Sequence, residues 1–249
     1  SIPDYMHISL KGKRALYKQE LMMLEMLANA NWERPIYMAI TVGSDNHLNM
    51  GKHFIQEGLA YRFTPFDTEA LDCRIDSEKM YDNLMNKFKF GGIDKPGIYI
   101  DENVMRMCYT HRRIFTQLAG QLIKEGKKDK ALKALDYAEK MIPSYNVPHN
   151  WDSGAFQIAD CYYQLGETEK AEFIIDELAN NAVEYMLWYL SLPDRKLSIS
   201  GDSFLYYAGQ LDAEVNLMEK FKSDDLKGHY SEQLQKLYGE YVRRMQQPQ

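Results

Sequence analysis

The chain has 249 residues, 45% of them hydrophobic and 27% charged, a globular balance far from that of disordered segments. Its formal net charge of -6 argues against a general nucleic-acid or anionic-membrane binder, which needs a positive surface to displace counterions. No apolar run approaches the ~20 residues of a spanning helix. The start Ser1-Ile2-Pro3-Asp4 has neither an initiator Met nor a basic-then-apolar leader, and reads as a mature fragment or an excised domain.

In chain order, residues 13–29 predict a helix with Leu16, Leu21, Leu24 and Leu27 on or near one face. Residues 34–41 read as a strand, with Pro35 at its start where proline is tolerated. A short helix over 48–56 ends at Gly58, and a second strand over 59–63 stops before Pro65. Strand–helix–strand predicts a small parallel βαβ unit with a right-handed crossover. His47 and His53 flank the short helix at the wrong spacing for one face, so no metal site is expected. The acidic run Asp67, Glu69, Asp72, Asp76 and Glu78 lacks EF-hand spacing and reads as a solvated loop. Ser77 is expected to cap a helix to about residue 88, broken by Gly91-Gly92, and residues 97–100 are a candidate third strand. Asp101 then caps a long helix over about 102–125. Residues 1–100 are thus expected to form a small α/β domain.

Residues 101–249 carry a repeat. Leu118-Ala119, Leu122, Gly126 and Ala131 recur as Ile158-Ala159, Tyr162, Gly166 and Ala171, a shift of 40 residues (166 − 126 and 171 − 131). The tetratricopeptide period is about 34, and an enlarged linker after Pro143 accounts for the surplus. Small Ala119 and Ala159 permit close helix crossing. Gly126 and Gly166 end each first helix in the left-handed conformation that glycine adopts at little cost. Ala131, Leu135 and Ala138, matched by Ala171, Ile175 and Leu178, form the inner face of each second helix. A third, looser pair covers 201–245, with Phe204, Tyr207, Leu211, Val215 and Met218 at helical spacing, and Gly201-Asp202-Ser203 reads as its N-cap. The fold class expected is mainly α: a tetratricopeptide-like αα-hairpin superhelix (hairpins 102–143, 151–192 and 201–245) behind the α/β domain.

Chemistry is harder to find. The sequence contains no GxGxxG, P-loop, GxSxG or HExxH pattern, and no catalytic residue, metal or cofactor is assigned. The odd count of cysteines (Cys73, Cys108 and Cys161) supports neither a zinc site nor a disulfide framework. If the hairpins curve, their first helices line a concave groove suited to an extended peptide or a partner helix. Arg113, Thr116, Gly120 and Ile123 fall there from the first repeat, and Phe156, Asp160, Tyr163 and Gln164 from the second. The alternative for Phe156 and Tyr163 is packing against the N-terminal domain.

Three stretches then carry a resemblance: Asn31-Trp32-Glu33-Arg34-Pro35-Ile36-Tyr37, Glu57-Gly58-Leu59-Ala60-Tyr61-Arg62-Phe63-Thr64-Pro65 and Asp101-Glu102, followed by the Gly-x-x-x-Lys-Ala hairpins. In this order they resemble a bacterial family of large membrane proteins whose N-terminal multi-span region is like a protein O-mannosyltransferase-type glycosyltransferase. The resemblance implies a soluble C-terminal region held on the periplasmic side of the inner membrane, with the catalytic acid elsewhere in the parent chain. Trp32, Arg34, Tyr61 and Arg62 read as domain-organising contacts or, alternatively, a second binding surface. The function expected is a non-catalytic accessory domain that binds polypeptide substrate or a partner protein. The alternative is a free-standing tetratricopeptide scaffold with no linked enzyme.

Overall fold

A computed structural model describes residues 5–246. The chain forms two compact units, Ser1–Lys89 and Phe90–Gln249. It is mainly helical, with a small three-stranded antiparallel sheet near the N-terminus.

In the first unit α1 (Lys18–Ala28) begins where Glu20 accepts a hydrogen bond from the Tyr17 amide at 2.8 Å and pairs with Lys13 at 2.5 Å. The sheet comprises β1 (Tyr37–Ala39), β2 (Phe54–Gln56) and β3 (Ala60–Phe63) in the order β1-β3-β2, every pair antiparallel. The expected parallel βαβ unit is therefore not formed. Leu48 and Asn49 take left-handed backbone angles (φ 48° and 57°), which interrupt any helix over 48–56 and leave a short 3-10 turn at Gly51–His53. Phe54–Gln56 becomes a strand instead. Gly58-Leu59 then joins β2 to β3, with the Glu57 amide donating to the Ala60 carbonyl at 3.0 Å. So short a link joins only antiparallel strands. Gly58, at φ 132°, occupies a backbone region open mainly to glycine.

The pleat sends Tyr61 and Phe63 to one face and Arg62 to the other. Phe63 packs with buried Leu48, Met50 and Phe54, and α1 adds Met23, Leu24 and Leu27. Further on, α2 (Ser77–Asp82) is capped by Asp76, whose carboxylate accepts from the Lys79 amide at 3.0 Å, rather than by Ser77. Residues 97–100 form no strand.

The second unit is built from helices α3 (Glu102–Lys124), α4 (Lys128–Met141), α5 (Ala155–Leu165), α6 (Thr168–Leu190), α7 (Asp194–Ile199), α8 (Gly201–Phe221) and α9 (Asp224–Met245). Asp101 caps α3 as expected, accepting from the Asn103 and Val104 amides. The helices pair as α3/α4, α5/α6 and α8/α9, and α6 also packs on α8 and α9. Every inner-face position of the repeat is buried: Ala119 and Ala159, Leu122 and Tyr162, Ala131 and Ala171, Leu135 and Ile175, Ala138 and Leu178. Close-packed interfaces of this kind supply most of the stability of a repeat array.

The two repeat glycines end α3 and α5 at φ 74° and 84°. The residue after each donates back to the helix, Lys127 to the Leu122 carbonyl at 2.8 Å and Glu167 to that of Tyr162 at 3.0 Å. The third pair closes identically, Ser223 donating to the Met218 carbonyl at 2.9 Å, but the left-handed residue is Lys222 (φ 61°). The expected N-cap at 201–203 is displaced. Gly201 is already the first residue of α8 after Ser200, and a Cβ there would meet the Tyr241 hydroxyl at 2.6 Å.

Between the first two pairs, Arg112 anchors the linker. Its side chain is fully buried and donates to the carbonyls of Ile142 (2.7 Å), Val147 (2.6 Å) and Pro148 (3.2 Å). Beside it His149 bridges Glu139 (2.8 Å) and Glu177 (2.5 Å). The linker's path into α5 is thus held from α3, α4 and α6.

Candidate functional site

A cavity of about 590 Å³ lies along α3 and α5. Arg113, Thr116, Gln117, Gly120, Ile123 and Lys124 face it from α3, spaced as a single helical stripe. Gln157, Asp160, Cys161 and Gln164 do the same from α5, while Trp151, Asp152 and Gly154 of the linker close one end. Arg113 donates to the Asp152 carbonyl at 3.1 Å, which ties α3 to that closing turn. Gly154 is at φ 80°, and a Cβ there would stand 2.7 Å from the Arg113 side chain. Two reasons, the backbone angle and this crowding, therefore demand glycine at that corner.

The electrostatics are balanced. Arg113 and Lys124 stand on the α3 wall, with Asp152 and Asp160 opposite. Asp160 accepts from Gln164 at 2.7 Å and from Lys220 of α8 at 3.2 Å. Cys161 is buried at the cavity wall, and burial pushes its thiol up to about 12. It is therefore no nucleophile near neutral pH. All three cysteines are free thiols.

Of the residues singled out from sequence, Arg113, Thr116, Gly120, Ile123, Asp160 and Gln164 are brought together in this cavity. Tyr163 is not in it. Its ring stacks on Phe221 at 4.7 Å, and its buried hydroxyl meets that of Ser223 at 2.9 Å, which makes it a joint between the second and third pairs. Phe156 sits half-buried beside the cavity, its ring 4.9 Å from that of Trp151. Phe221, Ser223 and Trp151 all lie outside the 40-residue pattern shared by the first two hairpins. Gln117, Lys124, Trp151, Asp152 and Gln157 were missed. The helical spacing from Arg113 and Asp160 predicts Gln117, Lys124 and Gln157, whereas nothing in the sequence marks the linker residues.

The four residues of the other candidate surface do not share one face. Trp32, at φ 57°, stacks on Phe63 at 5.9 Å, and Tyr61 on Phe54 at 5.7 Å. Arg62 points to the opposite side of the sheet, where it donates to Glu57 at 2.5 Å. Arg34 is exposed. Glu57 plays the part of buried charge. It also accepts from Tyr37 at 2.8 Å and pairs with Lys79 at 2.6 Å. Burial raises its pKa, but the hydrogen bonds from Lys79, Arg62 and Tyr37 outweigh that and hold the carboxyl below its usual range.

Among the described residues no group of three or more His, Cys, Asp and Glu is placed to hold a metal ion, and no helix is long and apolar enough to cross a membrane. No curated protein and no solved structure matches the chain. Residues 1–81 match the model of TMEM260-associated domain 2, which fits them to a region of a TMEM260-like protein.

Proposed function

We propose that this chain is a non-catalytic accessory region of a TMEM260-like membrane glycosyltransferase, held on the periplasmic side, and that the groove along α3 and α5 binds polypeptide. The observation that carries this reading is the groove itself: about 590 Å³, lined by one unbroken stripe from each helix and by groups of both charges. Such a volume is typical of ligand sites, and inner grooves of helical repeats are where these folds take extended partners. The domain match at residues 1–81 supports the parentage. The glycosyltransferase link and the periplasmic placement come from the resemblance carried by Asn31 to Tyr37, Glu57 to Pro65 and the hairpins.

Gly120 provides the test. A Cβ there meets nothing within 4 Å, so Gly120→Leu fills the groove without crowding the chain and gains helix propensity. Titration of the full chain with a library of extended peptides is expected to show binding that Gly120→Leu abolishes while its thermal unfolding is unchanged or higher. Unaltered peptide binding by Gly120→Leu would remove the groove from consideration.

A further inference from the structure

Resting on that reading of the groove, we infer that its ligand is an uncharged, extended stretch of polypeptide gripped through its main chain, with little selection among side chains. Three carboxamides stand in the stripes, Gln117 on α3 and Gln157 and Gln164 on α5, the last donating to Asp160 at 2.7 Å. A carboxamide offers N–H donors and a carbonyl acceptor together, which is the pairing that a peptide unit presents. A groove selecting charged side chains would carry an excess of one sign. Here Arg113 and Lys124 are matched by Asp152 and Asp160.

Gly120 points the same way. A glycine inside a helix is less stable there than alanine, and nothing in this chain crowds the position. Gly209, Gly228 and Gly239 are equally uncrowded but exposed, whereas Gly120 is half-buried on the cavity wall. Folding does not require glycine there; a bare Cα lets another backbone approach the helix closely. The reach also fits. Arg113 to Lys124 spans roughly 16 Å at ~1.5 Å per helical residue, which is about five residues of an extended strand at ~3.3 Å each.

The probes are acetylated, amidated decapeptides of Ser, Thr, Ala and Gly in several scrambled orders, together with versions in which alternate amides are replaced by esters. Each is titrated into the full chain by calorimetry. The scrambled set is expected to bind with affinities within about threefold of one another. Ester replacement is expected to weaken binding about tenfold, the loss of one or two net hydrogen bonds. Gln157→Ala should also weaken it with thermal unfolding unchanged. If the ester peptides bind as well as the amides, or if one order alone binds, main-chain recognition is overturned while the groove reading stands. If no peptide binds at all, both fall.

Discussion

Replacing Arg112 tests how the repeat array is held together. Its guanidinium is fully buried and satisfies the carbonyls of Ile142, Val147 and Pro148. Burial lowers its pKa, and nearby charge, Glu139 foremost, offsets part of that. Arg112→Leu keeps an apolar stem of similar reach but strands the two buried carbonyls of Ile142 and Val147 and leaves Glu139 facing an uncharged neighbour. Each unsatisfied buried acceptor costs on the order of 1–3 kcal/mol, and breaking a buried charged network by removing one member costs about 3–5 kcal/mol. The expected loss is about 4 kcal/mol, a large part of the 5–15 kcal/mol typical of a folded domain. In urea denaturation followed by circular dichroism, a slope of ~2–3 kcal/mol/M turns this into a midpoint shift of about 1.5 M. Arg112→Lys, which retains the charge but not the fork that reaches several carbonyls, should fall between. Arg113→Leu, on the exposed neighbour, should cost less than about 1 kcal/mol. A midpoint shift in Arg112→Leu no larger than that of Arg113→Leu would show that the linker holds its path without the guanidinium.

Lys222→Gly should stabilise the protein by about 0.5–1 kcal/mol in the same assay, since a side chain at a left-handed position costs ~1–2 kcal/mol and glycine returns part of that as chain entropy; a destabilised variant would mean that the lysine side chain outweighs the backbone strain. Glu214 is buried with one carboxylate oxygen unpartnered, and burial pushes its pKa up to about 9. Because the folded state keeps a proton that the unfolded state has lost, stability falls as pH rises from about 4.5 towards 9. Glu214→Gln should therefore gain roughly 1–3 kcal/mol at pH 8 and almost nothing at pH 5, and equal gains at both pH values would contradict this. Glu57 has the opposite sign. Its lowered pKa supplies stability above about 4.5 that is lost as pH falls below it. Glu57→Gln should thus destabilise the protein at pH 7 and flatten its acid limb, and an unchanged acid limb would exclude Glu57 as its source.

The helical half was the more legible because its signals are local and repeat. Gly126 and Gly166 mark identical helix ends, and the alanines, leucines and isoleucines between them proved to be the buried faces. The third pair closes by the same backbone turn, yet Lys222 stands where the others have glycine, so composition hid it. In the first unit the sheet was misread because the chain reverses through left-handed Leu48 and Asn49, residues that do not advertise that conformation. The Gly58-Leu59 turn was a readable hairpin signal, outweighed by the apolar run around it. At the groove, six expected residues converge, while Tyr163 does not, because its partners Phe221 and Ser223 lie about sixty residues away and no periodicity links them.

Lys220 gives the array a mechanical property. Its ammonium reaches from α8 to Asp160 on the groove wall, so one carboxylate serves both the proposed binding surface and the seating of the last helical pair. A ligand group that claims Asp160 must compete with Lys220, and by thermodynamic reciprocity whatever loosens α8 also alters the groove's affinity. The pair is partly exposed, so the coupling is small, at most about 1 kcal/mol, and weakens with salt. Occupancy in the middle of the stack is in this way transmitted, faintly and reversibly, to its far end.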